Sequence, residues 1–132
     1  MKTYHGSCHC GAVRYAADID LALGTIKCNC SICAKMRFWA VQLAPGAFRL
    51  LQGEDALREY RFHTRRDGHH FCGTCGINVF STGDAPRSGP FVAVTVASLD
   101  DLPAADLLTA PVRHIDGRND NWIAPPAEFR HL

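Results

Sequence analysis

The chain has 132 residues, 47% hydrophobic and 20% charged, with 14 Lys and Arg against 13 Asp and Glu for a formal net charge of +1. That length suits one domain, residues 1–132, able to bury a core without disulfides, and the balanced charge lacks the basic signature of a general nucleic-acid binder. No stretch approaches the ~20 apolar residues of a membrane span, and Met1-Lys2-Thr3-Tyr4-His5-Gly6 lacks the apolar run of a signal peptide, so a soluble, cytoplasmic protein is expected.

In chain order, short alternating segments dominate, punctuated by Gly, Pro and Asp. Gly11 to Tyr15 alternates and reads as a strand. Phe38 to Leu43 and Phe48 to Leu51 flank a turn signal at Pro45-Gly46. Leu57 to Phe62 alternates after one slip, and Asp67-Gly68 reads as the turn of a solvated hairpin. Ile77 to Phe80 and Phe91 to Val96 carry the strongest strand patterns. The stretch from Thr82 to Pro90, with Gly83, Pro86 and Gly89, predicts a loop. Helical periodicity is confined to one turn after Cys33 and another between Leu99 and Leu108. The fold class expected is one mainly β domain.

The seven cysteines, at 8, 10, 28, 30, 33, 72 and 75, fall in three tight clusters. Their odd number and the Cys-x-Cys spacing argue against a disulfide framework and for metal binding. Cys8-His9-Cys10-Gly11 and Cys72-Gly73-Thr74-Cys75-Gly76 form a weak internal repeat: paired cysteines, then Gly, then a short apolar strand. Such a knuckle turns the backbone around a metal, and Gly tolerates the positive φ that this turn needs. Cys8, Cys10, Cys72 and Cys75 supply the four thiolates of a closed tetrahedral zinc site. Cys28, Cys30 and Cys33 leave three thiolates, the layout of a catalytic zinc site with an open position. Three thiolates on Zn²⁺ give a net negative site, poor at making hydroxide and suited to holding a thiol substrate as thiolate. A second closed site completed by His5, His9, His63, His69, His70 or His114 is the alternative. An iron–sulfur set is another, although the spacing departs from ferredoxin patterns.

The segments Gly6-Ser7-Cys8-His9-Cys10-Gly11-Ala12-Val13, Cys28-Asn29-Cys30-Ser31-Ile32-Cys33 and Phe71-Cys72-Gly73-Thr74-Cys75-Gly76 resemble the glutathione-dependent formaldehyde-activating enzyme family, shared with centromere protein V. So do Val94 to Asp101 and Asp116 to Trp122, while His69-His70-Phe71-Cys72 resembles the centromere protein V-like branch. The resemblance implies a Mss4-like fold of small sheets clamped by zinc. It implies a structural zinc on Cys8, Cys10, Cys72 and Cys75 and a catalytic zinc on Cys28, Cys30 and Cys33, hence two Zn²⁺ per chain. It also implies carbon–sulfur lyase activity: reversible addition of glutathione, or another small thiol, to formaldehyde, giving S-hydroxymethylglutathione. From a different class come two rivals, a non-catalytic zinc-stabilised binding module and a thiol redox or metal sensor.

Other polar residues have weaker claims. Arg65 or Arg66 could receive a carboxylate of an acidic thiol, though short charge runs are usually surface. Asp116-Gly117-Arg118 reads either as a substrate-side loop or as a turn held by local Asp and Asn hydrogen bonds. His63 and His114 are proton-transfer candidates if they reach the middle cluster. Trp39 and Trp122 read as core or rim packing.

Overall fold

The computed structural model describes residues 1–132. Its alternating segments form two sheets, and every adjacent pair of strands is antiparallel except one. The smaller sheet runs in the order β1 (Lys2–Ser7), β2 (Arg14–Ile19), β5 (Phe48–Gln52). The larger has seven strands: β10 (Val112–Ile115), β3 (Thr25–Cys28), β4 (Trp39–Leu43), β9 (Gly89–Thr95), β8 (Asn78–Ala85), β7 (Gly68–Cys72) and β6 (Leu57–Tyr60). Two helices of six residues each complete the chain, α1 (Ser31–Met36) and α2 (Ala104–Thr109). Neither is long and apolar enough to cross a membrane.

The core lies between the sheets. Tyr4, Tyr15, Ala17 and Ile19 from the smaller sheet meet Val41, Leu43, Val79, Phe80, Val92 and Val94 from the larger. An aromatic chain runs across it, with Tyr15 and Phe48 centroids 5.3 Å apart and Phe48 and Phe80 4.6 Å apart. Such tilted pairs contribute about 0.5–1.5 kcal/mol each beyond area burial. The fully buried Tyr15 keeps its hydroxyl satisfied by Ser98 Oγ at 2.7 Å. Its ring lies against the cross-strand Gly6, where a Cβ would approach within 2.2 Å.

The mainly β class and the strands at Phe38 to Leu43, Phe48 to Leu51 and Phe91 to Val96 agree with the sequence pattern. Four readings need correction. The segment expected as a strand at Gly11 to Tyr15 is a turn up to Val13, with Gly11 at φ 79°, and the strand begins at Arg14. Thr82 to Pro90 is not a loop: β8 and β9 stay paired out to Ala85 and Gly89. Gly83 there marks close packing, since its Cβ would sit 2.5 Å from the Phe91 ring. Asp67-Gly68 is not the hairpin turn either. Residues 61–67 reverse the chain, with His63 and Arg65 at positive φ and the Arg61 guanidinium donating to the Arg65 and Arg66 carbonyls. Finally, the helix expected from Leu99 begins only at Ala104. Before it, the Asp100 amide donates to the His5 carbonyl and Asp101 accepts from the His5 amide, tying these residues to β1.

Candidate metal centres

The two similar knuckles meet. Knuckle one follows β1; knuckle two joins β7 to β8. In each, the glycine amide donates back to the first cysteine's carbonyl, Gly11 to Cys8 at 3.1 Å and Gly76 to Cys72 at 2.7 Å. Both glycines are left-handed, at φ 79° and 78°. Backbone amides also point at sulfur: Val13 at Cys8 Sγ (3.3 Å) and Thr74 at Cys72 Sγ (3.4 Å). Such amides stabilise thiolates. At Cys75, amides led by that of Ile77 hold the thiol down at about 6.

The Sγ atoms of Cys8, Cys10, Cys72 and Cys75 all lie within 4.8 Å of one another. Cys8 and Cys10 are 3.6 Å apart, and Cys10 and Cys72 3.7 Å. A tetrahedron with zinc–sulfur bonds of ~2.3 Å has edges of about 3.8 Å, so the spacing fits that ion. Cys8 and Cys72 are buried, whereas Cys10 faces solvent.

The third cluster is built differently. Cys28 ends β3, Cys30 caps α1 and Cys33 lies in its first turn. Their three Sγ atoms also lie within 4.8 Å of one another, and no histidine nitrogen joins either group. Hydrogen bonds from Cys28 and then Cys33 draw the Cys30 thiol down, while contact with Cys30 pushes Cys28 up and contacts with Cys28 and then Cys30 push Cys33 up. Three sulfurs this close repel one another as thiolates, so a cation is what would hold all three in that form. The donor set fits zinc.

The parallel pairing of β10 with β3 sets Ile115 beside Cys28. The chain leaving β10 therefore turns directly over the cluster. Asn29 locks that turn: its Nδ2 donates to Asp116 Oδ1 (2.8 Å) and its Oδ1 accepts from the Arg118 amide (3.0 Å). Asn119 Nδ2 donates to the other Asp116 oxygen at 2.8 Å, so the loop is held by local hydrogen bonds and also lies against the three-cysteine cluster. Gly117 permits the approach, because a Cβ there would lie 2.9 Å from Cys28 Sγ.

Beside the cluster a pocket of about 220 Å³ is lined by Cys28, Cys33, Ala34, Arg37, Phe38 and His131, with Leu132. Its cation is Arg37, not Arg65 or Arg66, which do not line it. Arg118 points its Nε at the Asn29 carbonyl (3.3 Å). His63 is exposed on the 61–67 turn, and His114 stacks on Phe129 at 4.2 Å; neither lines this pocket. Trp39 packs at the rim, donating to Thr25 Oγ1 (2.8 Å) beneath Lys27, whose Nζ is 4.7 Å from the ring. Trp122 lies against Gly117 with 44% of its surface exposed. Asn29 and Arg37 went unassigned at the level of sequence, although both lie within four residues of a cysteine in the cluster.

The model of a family described as "Glutathione-dependent formaldehyde-activating enzyme" matches residues 3–115, a span that includes all seven cysteines. The chain is also similar to a Rhodobacter sphaeroides protein of known crystal structure, with 30% identity and a TM-score of 0.70. The match covers 83% of this chain and 99% of that one.

Proposed function

Because this chain belongs to the glutathione-dependent formaldehyde-activating enzyme family, we propose that it is a zinc-dependent carbon–sulfur lyase that makes and breaks thiol–aldehyde adducts. Glutathione and formaldehyde are the substrates that the family name suggests. The observation that carries the reading is the three-thiol group without a histidine donor, opening beside a pocket with a cationic edge.

Cys28, Cys30 and Cys33 would hold the reactive zinc, and Cys8, Cys10, Cys72 and Cys75 the structural one, within one zinc-binding domain spanning 1–132. Bound at the three-thiol site, zinc would supply the positive charge that keeps a thiol substrate in its nucleophilic thiolate form. The chain's own residues do the rest. Arg37 offers a bidentate partner for a substrate carboxylate. Phe38 and Ala34 give the pocket an apolar wall that limits water. Asn29 and Asp116 fix the loop that covers the ligands, so their rotamers need not be set when substrate binds.

A panel of small thiols mixed with formaldehyde and zinc-loaded protein tests the proposal by NMR exchange spectroscopy. Interconversion of one adduct well above the buffer rate is expected, with an acidic thiol preferred. No acceleration for any thiol would leave a zinc-stabilised binding module as the better reading.

A further inference from the structure

The pocket beside the three-cysteine cluster has walls of two origins. Cys28, Cys33, Ala34, Arg37 and Phe38 belong to one continuous stretch, from the end of β3 through α1 to the residues just after it. The remaining wall is His131 and Leu132, from far along the chain.

The segment that carries this second wall is lightly held. From residue 125 to 132 it forms no helix or strand, and no backbone–backbone hydrogen bond ties it to either sheet. Pro126 is its one buried residue. Beyond Pro126, the Phe129 ring stacks on His114 with centroids 4.2 Å apart, and the Leu132 carbonyl accepts from Lys27 Nζ at 3.0 Å. His114 and Lys27 are register partners on β10 and β3, each one residue before the pair Ile115 and Cys28. Both fastenings therefore hang on a single cross-strand pair next to the first cysteine of the cluster. Arg130 adds no fastening, because it pairs with Glu128 of the same segment in solvent.

With the segment in place the pocket holds about 220 Å³, less than the about 300–1,000 Å³ of sites that enclose drug-sized ligands. A two-carbon thiol such as mercaptoacetate fits that space and has a carboxylate to offer Arg37. A tripeptide thiol does not fit.

We infer that residues 129–132 are a strap over the thiol pocket, closed on Lys27 and His114 for small thiols and lifted off them to seat a thiol as large as glutathione. The strap controls access and size selection at the site of the lyase function proposed above, and it rests on that reading for its substrates. An element with so few buried contacts opens locally while the sheets stay folded. The apparent affinity for a large thiol is reduced by the fraction of molecules with the strap open, so loosening the closed state raises it in proportion. A thiol that fits the closed pocket gains nothing.

Zinc-loaded wild type and Phe129→Ala are compared on the formaldehyde adducts of glutathione and of mercaptoacetate. Phe129 lies outside the pocket lining and is 37% exposed, so its truncation leaves the site and the core in place. kcat/KM for the glutathione adduct is expected to rise about 2- to 10-fold, the share of one aromatic stack, while that for the mercaptoacetate adduct stays unchanged. Opening is also read without turnover. In the closed strap the Phe129 ring current shifts the His114 ring protons; saturating glutathione should remove that shift, and mercaptoacetate should not. Unchanged selectivity in Phe129→Ala, or glutathione bound with the His114 shift retained, overturns the strap and leaves the proposed function standing. A wild type that turns over neither adduct, while glutathione still removes the shift, overturns the proposed function and leaves the strap.

Discussion

Gly117 decides how closely the loop after β10 approaches the sulfurs. A Cβ there would meet Cys30 Cβ and Cys28 Sγ at 2.9 Å and Trp122 Cη2 at 2.8 Å. Trp122 is half exposed and can yield; the cysteines, anchored at a strand end and a helix cap, cannot. Gly117→Ala should cost about 1–3 kcal/mol and weaken metal at the three-thiol site while the four-thiol site keeps its ion. Denaturant unfolding and metal analysis at matched free zinc check both. Asp116 supplies a pH signature. Hydrogen bonds from Asn119 and then Asn29 hold its carboxyl below the usual value. A depressed folded pKa stabilises fully above the unfolded value of about 3.9 and loses that contribution as pH falls through the folded one. The Arg118 amide, which donates to Asn29, should therefore shift below about pH 4 in the wild type and not in Asp116→Asn. Of these residues, Gly11 and Gly76 were readable from the cysteine repeat alone. Asn29 was not, since its partners lie 87 and 89 residues away.

Among the elements, the two clusters carry unequal structural weight. Cys8 and Cys10 extend from the smaller sheet, and Cys72 and Cys75 interrupt the larger, so the four-thiol site ties the sheets together. The three-thiol site ties only the end of β3 to α1, a helix of six residues that is too short to persist alone. On the proposed zinc assignment, Cys75→Ser should empty the four-thiol site and remove amide protection from β2 and β8 together, because zinc contributes about 10–16 kcal/mol in small domains that depend on it. Cys30→Ser should expose amides of α1 and the 116–121 turn and leave both sheets protected. Hydrogen exchange separates the two patterns. Long alternating strands such as β9 were evident from periodicity. The four-residue β3 and β10 were not: they are too short for a pattern, and their parallel pairing joins segments distant in the chain.

For the whole molecule, that pairing explains what the sequence pattern could not supply. It carries the loop after β10 onto the three-cysteine cluster, whose members were evident from spacing alone. The cation beside that cluster is Arg37, held in a left-handed conformation at φ 52° after α1, rather than the denser arginine run at 61–66. That run is spent on its own turn, Arg61 binding the carbonyls of Arg65 and Arg66. The seven cysteines divide by geometry into four that join the sheets and three on β3 and α1, of which Cys28 and Cys33 line a pocket. Wild type and Cys30→Ser, with equal metal in the four-thiol site, are compared for the rate at which they exchange glutathione with its formaldehyde adduct. Acceleration by the wild type and none by a folded Cys30→Ser is expected. Equal acceleration by both proteins would contradict this division of the cysteines.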